Sequence, residues 1–416
     1  MRFVVDSSWR WIDAHSILAG SPLKLFRLSE AGTAIVRSLE AGDEVDLTGP
    51  TSVLIDRLLD AGAVHPVVDS GAPHRSAADV TVVTPQLGGA VAREGRLVVD
   101  DGSEPPLDGA ALRLDTNVGP GGARNEGRPL VDTPFVAFVD ADVDVPELRP
   151  DHPGHEKFWA TLLAHFIDDR VGLVAPRVVG DPGSSLDLGD APARIRAGTR
   201  VSYVPAAMIV VRATAFDDVG GFDPTLRSGE DVDLVWRLDD AGWRCRYEPT
   251  VSVHHRPRAT RRERWTQQVV YGSSSAPLAL RHPRSLAPWK GSGWVAATWV
   301  SLALGHPVGA AGAAAIAVGR FRRLLPDLDN DTLRDLTFEG YLGTGRHAAA
   351  AVRRAWWPLA IPFIWSKRVR RVLLVAVAVA PRAVPNDVAF SFGLWKSVLR
   401  TRDVRSLLPQ IAGSVD

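Results

Sequence analysis

The sequence contains almost no cysteine, and neither sign of charge is in excess. Cys245 is the only cysteine among 416 residues, which rules out an intramolecular disulfide and a cysteine-rich metal site. Lysine and arginine together number 48, and so do aspartate and glutamate. A chain without net charge gives no reason to predict binding to nucleic acid.

Two common sequence signals are also missing. Residues 1–11 include no uninterrupted apolar stretch of the kind that forms the centre of a secretory signal, so we expect a cytoplasmic catalytic part. The glycine-rich stretch at residues 117–125 is not followed by Gly-Lys-Ser/Thr, and it is therefore not a P-loop. Apolar residues, by contrast, make up 45% of the chain, which is enough for sizeable cores.

Length and composition predict three segments. We expect a small winged-helix-like domain over residues 1–75, an α/β domain over 76–271, and a helical, apolar region over 272–416. In the first segment, Ser29 is a suitable cap for one helix, and residues 51–59 predict a second. The polar residues 69–78 predict a linker.

The second segment alternates short apolar runs with helical patterns. This alternation predicts a mostly parallel sheet with helices on both faces. The runs lie at residues 80–84, 97–99, 135–139, 172–175 and 208–211. Acidic clusters directly follow two of these runs, at the strand ends where sheets of this kind bind ligands.

The third segment contains a long apolar stretch. Residues 294–319 are nearly uncharged and are long enough to span a membrane. Several glycines, a histidine and a proline interrupt them, and a buried helical hairpin fits equally well. Spanning, contact with a membrane surface and a soluble hairpin therefore all stay open.

Asp140 and Asp142 are candidate metal ligands. Alternate side chains of a strand lie on the same face, so both carboxylates can address one point, with Ala141 turned away. Such a pair suits a hard divalent cation, Mn²⁺ or Mg²⁺, that also holds phosphate oxygens. The alternative is a solvated strand end. His255 is either a further ligand or a surface histidine.

Two polar segments are candidates for binding a nucleotide. A carboxylate of Asp100 or Asp101 can accept a hydrogen bond from a base or a ribose, and Gly102 permits a close turn; a simple β-turn is the alternative. Asn117 opens a glycine-rich entry to a helix, whose N–H groups, together with Arg124, can lie beside a diphosphate. The alternative there is a flexible loop.

Three acidic residues fall in the first turn of a further helix: Glu230, Asp231 and Asp233. Carboxylates at this position stabilise a helix through its dipole, which is the simpler interpretation. Three of them are more than a cap requires, however, and one can deprotonate a sugar hydroxyl as a general base.

The order of these motifs resembles that of the family 2 inverting glycosyltransferases, which have the GT-A fold. The motifs read Val-Asp-Asp-Gly-Ser, Asn-x-Gly-Pro-x-x-Ala-Arg-Asn, Phe-Val-Asp-Ala-Asp, Gly-Gly-Phe-Asp-Pro and Gly-Glu-Asp-Val-Asp-Leu, followed by a histidine. The resemblance implies a nucleotide-sugar site that contains Pro85, Asp100, Asp101, Gly102, Asn117, Arg124 and Asp140. It also implies a cation held by Asp140, Asp142 and His255, and a general base at Asp231 with Glu230 beside it.

The flanking segments narrow the resemblance. The first segment resembles peptide-binding modules related to the pyrroloquinoline-quinone D protein (PqqD-like modules). Fused to a family 2 enzyme and followed by Tyr271-Gly-Ser-Ser-Ser-Ala-Pro-Leu-Ala, it resembles the mycofactocin-system glycosyltransferases. This resemblance implies transfer of glucose from UDP-glucose to mycofactocin, a peptide-derived redox cofactor.

The chain departs from the family pattern in one place. Family members have a full helix between the first strand and Val-Asp-Asp-Gly-Ser, whereas here only Gln86–Arg96 separates Pro85 from Leu97, and parallel crossovers usually need a dozen or more residues. This departure keeps open a second function, a non-catalytic peptide-binding scaffold with a degenerate transferase domain. The apolar third segment keeps open another, a lipid or polysaccharide glycosyltransferase at the membrane.

Overall fold

A computed structural model describes residues 1–67, 75–91, 95–180, 186–256, 260–283, 285–326 and 328–412. The chain divides into two compact units, Met1–Pro257 and Arg258–Asp416. The first unit contains the predicted first segment and residues 76–257 of the second, whereas residues 258–271 belong to the second unit. Most of the predicted linker lies outside the described residues.

The N-terminal module consists of five short strands and two helices. These are β1 (Phe3–Val5), β2 (Arg10–Asp13), β3 (Ser16–Ala19), β4 (Lys24–Arg27), α1 (Glu30–Glu40), α2 (Gly49–Asp60) and β5 (Val64–Pro66). Strands β2, β3 and β4 form an antiparallel sheet in that order, and β1 pairs with β5. As predicted, α1 is capped by Ser29, whose hydroxyl accepts a hydrogen bond from the Gly32 N–H. The helices bury their apolar faces against β3 and β4, around Ile17, Phe26 and Leu58.

Charged side chains dock this module onto the rest of its unit. The guanidinium of Arg244, only 3% exposed, lies 2.8 Å from Asp60 and 3.3 Å from Asp56. Arg194 also reaches Asp60, at 2.8 Å. Arg200 donates to Asp6 at 3.0 Å. Ion pairs therefore hold the module against the rest of the first unit.

The rest of the first unit is built on one mixed sheet. Its strands are β6 (Val80–Gln86), β7 (Arg96–Asp100), β8 (Leu112–Arg113), β9 (Phe135–Val139), β10 (Val143–Asp144), β11 (Val171–Val179), β12 (Ala193–Ile195), β13 (Met208–Arg212) and β14 (Arg244–His255). The order is β10-β14-β11-β13-β9-β6-β7-β8, with β12 beside β14. Strands β9, β6, β7 and β8 run parallel, as do β11 and β14, whereas β13 pairs antiparallel with both neighbours. The predicted α/β class with a mostly parallel sheet is confirmed.

Four helices accompany this sheet: α3 (Pro120–Gly127), α4 (His155–Ala164), α5 (Ala213–Asp218) and α6 (Glu230–Asp240). Trp159 and Leu162 of α4 belong to a core cluster with Phe135 and Val174 of the sheet. Helix α3 approaches the sheet closely because it ends in Gly127, where a Cβ would lie 2.7 Å from Val83. This contact holds the end of α3 against β6 and β7, since the Cβ position of Gly127 also lies 3.0 Å from Val99.

The crossover from β6 to β7 is short, as the sequence indicates. The strands are parallel neighbours, with Val82 opposite Arg96 and Gln86 opposite Asp100. Residues 87–91 form no helix, and residues 92–94 lie outside the described part. A chain of this length reaches roughly 30 Å when extended, whereas a five-residue strand measures about 17 Å. The chain can therefore reach from the end of β6 back to the start of β7 without a helix.

The second unit is mainly helical. It comprises α7 (Arg261–Ser273), α8 (Ser275–Arg281), β15 (Lys290–Ser292), α9 (Gly293–Leu304), α10 (Pro307–Leu324), α11 (Asn330–Ala351), α12 (Trp357–Ala360), α13 (Lys367–Val379), α14 (Val384–Thr401) and β16 (Gln410–Ala412). Strands β15 and β16 pair parallel. Helices α7 and α14 cross at Gly272 and Gly393. The predicted apolar stretch is divided into α9 and α10, because Gly305 adopts a left-handed conformation (φ 78°) and Pro307 begins the next helix.

In the described part of the chain, no single helix has the length and apolar composition needed to cross a membrane. Helix α13 and the stretch Pro381–Thr401 meet that test only together, and they are bent by 93° relative to each other.

Candidate active site

Asp100 and Asp101 lie at the end of β7, where the sequence predicted them, and both are almost fully buried. The Asp100 carboxylate accepts hydrogen bonds from the Ser103 and Leu107 N–H groups and from Arg113, at 2.7–3.0 Å. Although burial alone would raise it, these bonds lower the pKa of Asp100 to about 2. Asp100 is thus ionised and committed to its own loop.

Asp101 organises the glycine-rich segment. Its carboxylate accepts hydrogen bonds from the N–H groups of Val118 and Gly119, at 2.7 and 3.0 Å, and from the Asn117 amide at 2.9 Å. Gly102 makes this approach possible: its φ is 75°, and a Cβ there would lie 2.7 Å from the Asn117 nitrogen. Asp101 therefore fixes the start of α3.

Pro85 is buried in β6 opposite Val99, next to this loop. Arg227 reaches the same place from another part of the chain and donates to the Asn117 side-chain oxygen at 2.6 Å and to its carbonyl at 3.0 Å. The predicted nucleotide-binding residues Pro85, Asp100, Asp101, Gly102 and Asn117 are thus neighbours. Arg227 was not predicted, since no local pattern marks it.

Asp140 and Asp142 do not lie on a strand. Strand β9 ends at Val139, and the chain turns before β10. The alternation argument therefore does not apply, and the two carboxylates have different partners: Asp140 contacts Arg124, and Asp142 lies 3.4 Å from His255 Nε2. Arg96 pins the turn by donating to the carbonyls of Asp140 and Val143.

Arg124 connects the parts of the site. Its guanidinium, on α3 and 1% exposed, donates to Asp140, to Glu230 at 3.2 Å and to the Ala206 carbonyl at 3.4 Å. Burial alone would lower the pKa of Arg124, but the carboxylates of Asp140 and Glu230 raise it. The residue predicted to flank a diphosphate thus neutralises carboxylates within the site.

Helix α6 begins at Glu230, after Gly229 in a left-handed conformation, and places the three predicted acidic residues in its first turn. Asp233 is buried and pairs with Arg237 at 2.7 Å, which makes it structural. Asp231 is partly accessible and accepts hydrogen bonds from the N–H groups of Val232 (2.8 Å) and Ala206 (3.4 Å). Burial of its carboxyl and the adjacent Glu230 raise the pKa of Asp231 to about 7.

Asp140, Asp142 and His255 have the right chemistry for a divalent cation. Hard cations such as Mg²⁺ take carboxylate oxygens and commonly keep water and substrate phosphates as further ligands. The Asp140 and Asp142 side chains are 31% and 47% exposed, so such ligands can reach them. Within the described residues, no three His, Cys, Asp or Glu side chains are already grouped around one point. The donor set fits a cation that arrives with a substrate.

Comparison with known proteins gives full-length matches. The chain is 37% identical over 465 aligned residues, covering 96% of this chain and 95% of the relative, to the "Pre-mycofactocin glycosyltransferase" of Mycobacterium tuberculosis (strain CDC 1551 / Oshkosh), and it matches the protein of the same name in strain ATCC 25618 / H37Rv equally well. A further match is local: 42% identity over 85 residues, 20% of this chain and 28% of the relative, to the "N-acetylglucosaminyl-diphospho-decaprenol L-rhamnosyltransferase" of the first strain. No family model matches.

Among solved structures, the chain resembles "Mannosyltransferase PcManGT from Pyrobaculum calidifontis in complex with GDP-Man and Mn2+". The identity is 16%, 82% of this chain and 92% of that chain are covered, and the TM-score is 0.41.

Proposed function

Because this chain belongs to the family of pre-mycofactocin glycosyltransferases, we propose that it transfers glucose from UDP-glucose to mycofactocin, in successive additions and with inversion at the anomeric carbon. Full-length similarity supports the acceptor class. The observation that carries the catalytic role is the cluster in which Arg124 joins Asp140 to Glu230, directly before Asp231.

Asp231 is the proposed general base. An acceptor hydroxyl attacks the anomeric carbon of the donor, the bond from that carbon to the diphosphate oxygen breaks, and the diphosphate leaves with the electron pair. Asp231 takes the hydroxyl proton. A pKa of about 7 suits this step, because a base that titrates near the operating pH is both ionised in part and basic enough to take the proton.

Asp140, Asp142 and His255 are the proposed ligands of Mn²⁺ or Mg²⁺, which would supply positive charge for the departing diphosphate. Since Arg124 already pairs with Asp140, it lies where it can adjust the charge of the same carboxylate. Glu230 acts through Arg124 and through its effect on Asp231.

The loop around Asp101 is the proposed nucleotide-sugar site, with Pro85, Asp100, Gly102 and Asn117. The oxygens of Asp100 and Asp101 are occupied by hydrogen bonds within the loop. Their contribution in this proposal is to hold the loop and the start of α3 in shape for the donor.

We propose that the N-terminal module is PqqD-like and binds the peptide-derived acceptor. Strands β2 and β4 are the outer strands of its three-stranded sheet, and outer strands can add an extended peptide. We place the catalytic part in the cytoplasm, where nucleotide sugars are available to it.

The test combines the purified full chain, a mycofactocin precursor and a panel of nucleotide sugars. We expect glucosylated product from UDP-glucose, none in excess chelator, and recovery on adding Mn²⁺ or Mg²⁺. Asp142→Ala should lose turnover and keep the unfolding midpoint of the wild type. Full activity in chelator would refute the metal assignment, and absence of transfer from every donor would favour a non-catalytic scaffold.

A further inference from the structure

One part of the chain carries a strong local excess of positive charge. Although the whole sequence is neutral, residues 340–386 include no aspartate or glutamate. The basic residues in this stretch are Arg346, Arg353, Arg354, Lys367, Arg368, Arg370, Arg371 and Arg382. Arg353 and Arg354 both pair with the buried carboxylate of Asp387, at 2.6 Å. Asp387 thus compensates two of these eight basic residues.

The most exposed part of this stretch surrounds the start of α13. Every residue from 361 to 371 is exposed except Val369. The stretch includes two aromatic side chains, Phe363 at 63% and Trp365 at 86% exposure. Apolar exposure continues along the helix at Leu374 (69%) and Val375 (56%). Soluble proteins rarely leave so many contiguous large apolar side chains in water.

Four cations follow these aromatic residues directly in the sequence: Lys367, Arg368, Arg370 and Arg371. In the part of the chain that the structure describes, none of the four forms an ion pair. They also occupy the first turns of α13, where the helix dipole disfavours positive charge and where no acidic residue compensates. This arrangement opposes the stability of the helix itself and suits an external anion.

We propose that residues 361–371, which we call the basic aromatic edge, dock on the headgroups of an anionic lipid bilayer. Phe363 and Trp365 insert at the level of the headgroups, as aromatic side chains do at membrane interfaces. The four cations are attracted by the negative surface potential. Leu374 and Val375 extend the apolar contact along α13.

Two other occupants fit this edge less well. A second copy of the chain in a two-fold contact would place the same four cations against each other, which is unfavourable. A nucleic acid would accept the cations and stack on the aromatic rings, but it offers no apolar surface to Leu374 and Val375. A bilayer offers anionic headgroups to the cations, an interface to the aromatic side chains and an apolar interior to Leu374 and Val375. This inference does not depend on the proposed sugar transfer.

The experiment is cosedimentation of the full chain with vesicles of phosphatidylcholine alone and with vesicles rich in phosphatidylglycerol. We expect binding to the second only, weakening as salt rises, because exposed charges are screened within about 8 Å at physiological ionic strength. Arg370→Glu with Arg371→Glu should weaken binding roughly tenfold or more. Trp365→Ser should weaken it at high salt as well, since the apolar contribution is not screened.

The matched control is Arg27→Glu with Arg57→Glu, which makes the same charge change at two exposed arginines of the N-terminal module. It should leave vesicle binding unchanged, and all variants should keep the wild-type unfolding midpoint. Equal binding to both vesicle types, or equal loss with the control pair, overturns the proposal. So does a concentration-dependent dimer, seen by light scattering, that the Arg370/Arg371 variant abolishes in the absence of lipid.

Discussion

Arg124 and Asp231 show how single residues set the properties of this site. Arg124 supplies one buried positive charge to Asp140 and Glu230, and both ion pairs join residues distant in sequence. Asp231, one residue beyond Glu230, receives no direct hydrogen bond from the guanidinium among the contacts described above. Burial of its carboxyl group and the negative charge of Glu230 therefore raise its pKa.

The raised pKa of Asp231 predicts a trade between activity and stability. Between its ordinary pKa of 3.8 and the folded value of about 7, the folded protein binds more protons than the unfolded chain. The free energy of unfolding therefore falls as pH rises through this window. At pH 8, Asp231→Asn should raise the free energy of unfolding by on the order of 1–2 kcal/mol, because the group is partly exposed. The same substitution should lower turnover by roughly 10²–10⁴-fold.

Asp233→Asn is the matched control on the same helix turn. Its carboxylate is 1% exposed and pairs with Arg237, so the substitution should destabilise the protein by about 1–3 kcal/mol. Chemical denaturation at pH 5 and pH 8 measures both variants. If Asp231→Asn is less stable than the wild type at pH 8, the pKa of Asp231 is not raised in the folded protein. If it retains more than about a third of the turnover, another carboxylate is the base.

Secondary-structure elements were predictable where their apolar pattern was continuous. Strand β9 is an uninterrupted apolar run, residues 208–211 of β13 form another, and Ser29 marks the start of α1. Strands β1 to β3 were missed because they are three or four residues long, and β2 mixes charged with apolar side chains. The candidate catalytic residues follow recognisable motifs. The Arg124–Glu230 pair does not, because it forms only when α3 and α6 meet in the folded chain.

The crossing of α7 and α14 gives a prediction about elements. A Cβ at Gly393 would overlap the Val269 carbonyl oxygen, and a Cβ at Gly272 would overlap that of Phe390. Backbone atoms cannot yield as a side chain end can, so Gly393→Ala must separate the helices. We expect a loss of about 3 kcal/mol in the free energy of unfolding, at the upper end of the range for overpacking.

Gly312→Ala provides the comparison for this substitution. Gly312 lies within α10, where nothing surrounds the position of a Cβ. Alanine there should stabilise the helix by about 0.4–1 kcal/mol. Denaturation midpoints of the two variants should thus move in opposite directions. A harmless Gly393→Ala would mean that the two helices are not in close contact in solution.

At the scale of the whole molecule, the N-terminal module is fixed through carboxylates on α2. Asp60 meets both Arg244 and Arg194, and these arginines lower its pKa although burial alone would raise it. This contribution is present above the ordinary carboxylate pKa and is lost as pH falls through the lower folded value. The docking therefore weakens in acid and holds at neutral pH.

Asp60→Ala should loosen the module and lower the unfolding midpoint, because Arg244 is buried and loses one of its partners. A loss of about 1–3 kcal/mol is expected. Glu44→Ala, at an exposed position of the same module, should change the midpoint little. Limited proteolysis of both variants provides a second measurement: only Asp60→Ala should release the module faster. Identical behaviour would show that the ion pairs do not hold it.

Arg124 compensates negative charge at the proposed metal site from within the chain. Many metal-binding proteins unfold when their ion is removed, because clustered negative charge is left without compensation. Here the guanidinium already balances Asp140 and Glu230 from inside the chain. A cation that bound Asp140, as we propose, would therefore have to compete with Arg124 for that carboxylate. Such competition would make the ion easier to exchange than one held by carboxylates without a cationic partner.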